Sequence, residues 1–292
     1  MNSALISAAD LQTMLEQGAM VQICDCSFDL AAPAAGRLAF EAAHLPGANY
    51  LHLEADLSAA KTGLNGRHPL PTPEAFAQRL GALGLRDDRP VVAYDNQGGM
   101  YAARLWWMLR WIGHAQVQVL DGGLAAWRTL GGQVLSGPSQ RSANGPLATE
   151  PTDFALAAPL EMAMDHDALR AALAQGLALV VDARSHDRYC GQNETLDPVG
   201  GHIPGALNRP FRDNLGPDGS FKTAELLREE WSSMLGGRSP SQTVQQCGSG
   251  VTACHNLLAL HAAGLSGARL YPGSWSEWCA QPGAPVSTGA QP

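Results

Sequence analysis

The strongest constraint on this chain is that most of it occurs twice. His44-Leu45-Pro46-Gly47-Ala48 returns as His202-Ile203-Pro204-Gly205-Ala206. An apolar run ending in aspartate precedes each: Val21-Gln22-Ile23-Cys24-Asp25 and Ala178-Leu179-Val180-Val181-Asp182. A second strand-like run follows each, Pro90 to Asp95 and Thr243 to Cys247, and leads through a small-residue loop into a helical pattern. Each half then closes on a strand, a glycine turn and a tryptophan, Val117 to Trp127 and Ala268 to Trp278. The order and spacing of these segments are shared, so the chain reads as two copies of one domain. At 292 residues it is long enough for both. Strands alternating with helical patterns imply a parallel sheet with helices on both faces. The expected fold is therefore α/β: two tandem domains, each a parallel sheet flanked by helices. The expected boundaries are 5–135 for the first domain, 136–159 for a Gly/Pro/Ser/Ala-rich linker, 160–281 for the second domain and 282–292 for a flexible tail. Helices are expected from about Asp10, from Pro73 and over Ala102 to Ile112, where Trp106, Trp107 and Trp111 read as packing residues.

The copies differ where chemistry would occur. Cys247 ends the second strand of the second copy, and Gly248-Ser249-Gly250-Val251-Thr252 links it to a helix. Glycines allow successive N–H groups to turn inward, and a helix N-terminus adds partial positive charge. Both favour S⁻ over SH, so Cys247 is the candidate nucleophile. In the first copy Asp95 holds the same place, followed by Asn96-Gln97-Gly98-Gly99-Met100. That copy has no nucleophile.

Composition excludes several classes. The net charge is −8, with no basic stripe, which argues against nucleic acid as a partner. No apolar run approaches the ~18 residues of a membrane helix, and the N-terminus lacks the basic start of a secretory signal. A cytoplasmic protein is expected. Its six cysteines then imply no disulfide framework. Their spacing matches no zinc site, so no metal and no cofactor are expected. Cys24 and Cys26 share one strand face and read as core.

The repeat, the two His-x-Pro-Gly-Ala segments, Leu120-Asp121-Gly122-Gly123 and Cys247-Gly248-Ser249-Gly250-Val251-Thr252 together resemble the two-domain rhodanese sulfurtransferases. The likeness runs from about residue 5 to 280. Thiosulfate-type members of that family carry two cations in this loop, Cys-Arg-Lys-Gly-Val-Thr. Gly248 and Ser249 instead resemble the 3-mercaptopyruvate branch. A cysteine phosphatase is disfavoured because the sixth residue after Cys247 is Ala253, not the arginine that a phosphate dianion needs.

The resemblance implies transfer of sulfur from 3-mercaptopyruvate through a Cys247 persulfide to an acceptor thiol, such as thioredoxin or a small thiol, or to cyanide. The amides of Gly248, Gly250, Val251 and Thr252 would hold the anionic sulfur. It also implies that Arg188 binds substrate, with Arg184 as a second contact or a clamp on the loop. Ser249 would relay a proton, and His44 would face Ser249 from the first copy. Thr252 and His255 are expected to cap the helix. The alternatives are thiosulfate:cyanide sulfurtransfer, which the missing loop cations oppose, and a non-catalytic sulfur carrier, which the intact Cys247 loop opposes.

Overall fold

Short runs, most of their residues buried, form the strands of both halves. The computed structural model describes residues 3–138 and 150–292. In the first half these strands are β1 (Leu5–Ile6), β2 (Gln22–Asp25), β3 (Asn49–Tyr50), β4 (Val91–Tyr94) and β5 (Val117–Leu120). In the second half they are β6 (Leu179–Asp182), β7 (Leu207–Asn208), β8 (Thr243–Gln246) and β9 (Arg269–Leu270). The first sheet has the order β1-β5-β4-β2-β3 and the second β7-β6-β8-β9, with every pairing parallel. Read from opposite ends these are one topology. The second sheet's counterpart of β1 is reduced to a single parallel bridge, Ala163 to Leu270. The α/β tandem fold is as the sequence implies.

In each sheet the central strand feeds a helix buried almost all round. β4 leads to Ala102–Trp111, where Ala102 through Leu109 are buried. β8 leads to Thr252–Ala262, where Ala253 through Leu260 are buried. Helices apolar on every side belong inside a core, and Trp106 and Trp107 are fully buried packing residues. Cys24 and Cys26 are buried in the sheet, and burial pushes both thiols up. The helix Ala8–Glu16 begins at Ser7, whose hydroxyl accepts the Asp10 N–H at 3.1 Å, so Asp10 lies inside the first turn. The helix Pro73–Ala82 begins at Thr72, with Pro73 in its first turn.

The boundaries differ from the contiguous halves expected. One compact unit comprises Met1–Ser58, Pro71–Leu160 and Pro217–Phe221; the other comprises Ala59–Leu70, Glu161–Gly216 and Lys222–Pro292. Each half thus gives a short segment to the other unit. Of the expected linker, 139–149 lies outside the described residues. The rest is not a free tether on its far side. Thr152 N–H donates to Gly81 O at 3.0 Å, Ala157 N–H to Ile112 O at 3.0 Å and Leu160 N–H to Arg110 O at 2.9 Å. Phe154 is buried against His114. The expected flexible tail is also anchored: Ser287 exchanges backbone bonds with His202, Gly289 N–H donates to Cys190 O, and Trp278 Nε1 donates to Pro285 O. Leu135 pairs with His44 in the same way in the first unit, so this tail is part of the repeat.

Candidate active site

β8 is fully buried although half of it is glutamine. Gln245 Oε1 faces Asn256 Nδ2 at 3.4 Å, and Asn256 bonds Asn214 at 2.7 Å and Arg209 O at 3.1 Å. A polar layer under the helix Thr252–Ala262 thus accounts for Gln245 Oε1, while Gln245 Nε2 is buried without a hydrogen-bond partner among the described residues. The Gln246 carboxamide is buried with no partner among the described residues.

Cys247 follows Gln246 at the carboxyl end of β8 and is 2% exposed. The turn after β9 fixes its backbone: Cys247 N–H donates to Ser274 Oγ at 3.1 Å, and Trp275 N–H donates to Cys247 O at 2.9 Å. Ser274 sits at φ 53°, a strained value for a non-glycine residue, and its hydroxyl donates to Tyr271 O. Gly250 has φ +74°, and a Cβ there would lie 2.3 Å from Pro272 O. Only glycine allows the loop this close to the turn. The helix begins at Thr252 without a side-chain cap, so Thr252 is not the expected capping residue. His255 packs edge-on against Phe211 inside the core rather than capping.

The corresponding loop of the other unit shows what this turn does with a negative charge. The Asp95 carboxylate accepts N–H groups from Gln97 at 2.8 Å, Gly99 at 2.9 Å, Tyr101 at 2.8 Å and Ala102 at 2.9 Å. The strand–loop–helix turn converges amides on the side chain that opens it, here a built-in anion. In the second unit that side chain is Cys247.

Three arginines approach the Cys247 loop. Arg184 and Arg188 lie just past β6, which pairs Asp182 with Gln246. Arg188 projects from the short helix His186–Tyr189. The third is Arg67, whose backbone N–H donates to Ser276 Oγ at 2.9 Å. A Cβ on Gly248 would stand 2.9 Å from Arg67 Nη2 and 3.6 Å from both Arg188 Nη atoms. Guanidinium ends from elsewhere thus stand beside a loop that carries no cation of its own. Arg184 does something different. It is 3% exposed, grips Asp182 through Nε and Nη2, donates to Gly201 O at 2.6 Å and stacks over Trp275. These contacts suit a clamp, while its Nη1 is buried without a hydrogen-bond partner among the described residues.

Carboxylates from the segment 191–201 answer these arginines. Glu194 takes a fork from Arg188 at 3.0 and 2.8 Å. Asp197 takes Arg67 Nη1 at 2.6 Å and Arg188 Nη2 at 3.4 Å. Burial opposes charge on Glu194, but the Arg188 fork and the Leu196 and Asp197 N–H groups hold its carboxyl below the usual range. Burial pushes Asp197 up despite Arg67.

Ser249 Oγ lies 2.7 Å from His68 Nδ1, with both side chains buried. The expected histidine, His44, is committed elsewhere. Its Nδ1 bonds Phe40 O at 2.8 Å and its ring stacks on Phe40 at 4.1 Å. His202 repeats that arrangement on Tyr189, so both are structural parts of the repeat. Arg67, His68, Glu194 and Asp197 are the site residues that the sequence reading missed. Arg67 and His68 lie in a long stretch without periodicity, and such stretches are often functional. Nothing in the sequence ties them to the second unit. Among the described residues no group of three or more His, Cys, Asp or Glu is placed to hold a metal ion.

A family model described as "Rhodanese-like domain" matches the chain twice, at residues 7–130 and 165–281. The chain is 46% identical over 293 aligned positions to a "Probable 3-mercaptopyruvate sulfurtransferase" of Pseudomonas aeruginosa, covering 99% of this chain and all of the relative. It is 33% identical to a thiosulfate sulfurtransferase of Cricetulus griseus, covering 98% of this chain and 94% of that one. The crystal structure of SseA from Escherichia coli, a 3-mercaptopyruvate sulfotransferase, superposes with a TM-score of 0.77 at 30% identity, covering 94% of this chain and 99% of that one.

Proposed function

The chain belongs to the rhodanese-like family, carrying that domain twice, and on that premise we propose that it moves sulfur from 3-mercaptopyruvate to a thiol acceptor, releasing pyruvate. One observation carries the reading. A cysteine stands where the sister loop holds a carboxylate inside four converging amides, and guanidinium groups stand beside it.

The Cys247 thiolate attacks the donor sulfur. The S–S bond forms, the C–S bond breaks, and its electron pair stays on carbon as the pyruvate enolate. Ser249, backed by His68, delivers a proton to that carbon. Arg188 and Arg67 receive the donor carboxylate. The amides of Gly248, Gly250, Val251 and Thr252 hold the persulfide anion left on Cys247. An acceptor thiolate then takes the outer sulfur and regenerates Cys247, so the kinetics are ping-pong. Reduced thioredoxin or a small thiol serves as acceptor in the cytoplasm; the six free cysteines suit a reducing compartment. No helix among the described residues is long and apolar enough to cross a membrane.

Steady-state turnover with the two donors and a common acceptor tests this. The expected kcat/KM for 3-mercaptopyruvate exceeds that for thiosulfate, and Cys247→Ser abolishes both. Faster thiosulfate turnover would make the chain a thiosulfate sulfurtransferase, and activity in Cys247→Ser would remove the nucleophile assigned here.

A further inference from the structure

Three guanidinium groups stand at the Cys247 loop, and three carboxylates meet them. Arg184 pairs with Asp182, Arg188 with Glu194 and Arg67 with Asp197. Cross-contacts at 3.4 and 3.5 Å tie Arg188 to Asp197 and Arg184 to Glu194. Three positive charges thus face three negative ones before Cys247 is counted. Arg184 and Asp182 are buried together, whereas the Arg67 and Arg188 side chains are each 20% exposed. Glu194 and Asp197 lie behind them at 4%. Arg67 gives Nη1 to Asp197, while its Nε–H is buried with no partner among the described residues and its Nη2 stands beside Gly248. That second edge of the guanidinium has the fork geometry that takes one carboxylate.

Resting on the sulfurtransferase reading, we propose that Asp197 and Glu194 are specificity-determining residues. By neutralising Arg67 and Arg188 they leave a receptor with N–H donors and no surplus positive charge, which takes a monoanionic α-keto acid and rejects a dianion. A carboxylate monoanion uses the free edge of Arg67 without displacing either acid. Thiosulfate brings two negative charges within a few ångströms of Asp197 and Glu194 in a half-buried site, where like charges repel strongly.

The test is kcat/KM for 3-mercaptopyruvate and for thiosulfate, with cyanide as common acceptor, in the full chain and in Asp197→Asn, Glu194→Gln and the double variant. Each amide keeps the shape and removes one charge. The thiosulfate to 3-mercaptopyruvate ratio is expected to rise about tenfold in each single variant and further in the double. A merely structural role would lower both donors together, and that result, or an unchanged ratio, overturns the proposal. Competition on the unaltered protein gives a second readout that needs no variant to fold. Pyruvate, a monoanion, should inhibit better than sulfate, a dianion, and tighter inhibition by sulfate overturns the proposal. If the unaltered protein releases no pyruvate from 3-mercaptopyruvate, the sulfurtransferase reading itself fails; if it does and the ratio stays fixed, only the specificity assignment fails.

Discussion

Two histidines show how far a residue type can be read without its surroundings. His44 and His68 are both buried and both come from the first half of the chain. A conspicuous motif drew attention to His44, but its ring is engaged by Phe40. His68 stands in an irregular stretch and meets Ser249. Substitution separates them. His44→Ala should lower stability by about 1–3 kcal/mol in urea titration while kcat stays near that of the unaltered protein. His68→Ala, equally buried, should cost a similar stability and in addition lower kcat by about 10- to 100-fold. Equal losses of kcat in both variants would refute the division. Asp25 poses a different problem. It holds the same strand-end place as Asp182, and both carboxylates accept the N–H two residues on. Arg184 neutralises Asp182, whereas Ser27 stands at the matching position beside Asp25. Burial, with Asp95 nearby, raises the Asp25 carboxyl above its usual range, although hydrogen bonds from Ser27 and Tyr94 oppose this. A folded value above the unfolded one means that charged Asp25 costs stability at neutral pH. The cost fades as pH falls through the folded value. Asp25→Asn should therefore stabilise the protein by about 1 kcal/mol at pH 7, with a gain that shrinks in acid. Thermal melts across pH check both the sign and the trend.

At the scale of elements, the strands and the two central helices were legible because their signals are local. Continuous apolar runs mark buried parallel strands, and the helix after each loop is largely apolar, interrupted by Arg104 in one and by His255 and Asn256 in the other. The loop itself was legible from its glycines. Gly250 carries the sharpest prediction here. At φ +74° and 2.3 Å from Pro272 O, an added Cβ is strained twice over, against backbone on both counts. Gly250→Ala should cost about 2–4 kcal/mol and abolish turnover, as measured by denaturant midpoint and assay. For Gly248→Ala the nearest atoms are the movable ends of Arg67 and Arg188. It should retain most stability while raising KM for the donor. If Gly250→Ala were as mild as Gly248→Ala, the account of the loop's packing would be wrong. What the sequence did not disclose is long-range: which carboxylate meets which arginine, and that the tail after Gly283 pairs with His202. Such contacts leave no periodic trace, because one residue from each of several distant segments meets at the sheet edge.

For the whole molecule, the repeat told how many domains to expect but not that they exchange segments. Residues 59–70 belong to the unit that holds Cys247, and 217–221 belong to the other. The Phe221 N–H donates to Asp121 at 2.8 Å, as the Arg67 N–H donates to Ser276 in the counterpart turn. Residues 160–292 alone would lack both Arg67 and His68. That fragment should lose more than about 100-fold in kcat/KM even where it folds, and grafting residues 59–70 onto it should restore part of the loss. The central claim, that Cys247 carries the sulfur, has a more direct check. The full chain, given 3-mercaptopyruvate without an acceptor, is digested under non-reducing conditions and its peptides are weighed. One added sulfur atom on the Cys247 peptide, removed by cyanide, is the predicted result. Pyruvate release with an unmodified Cys247 peptide, or the added sulfur on Cys24, Cys26, Cys190, Cys254 or Cys279 instead, would contradict it.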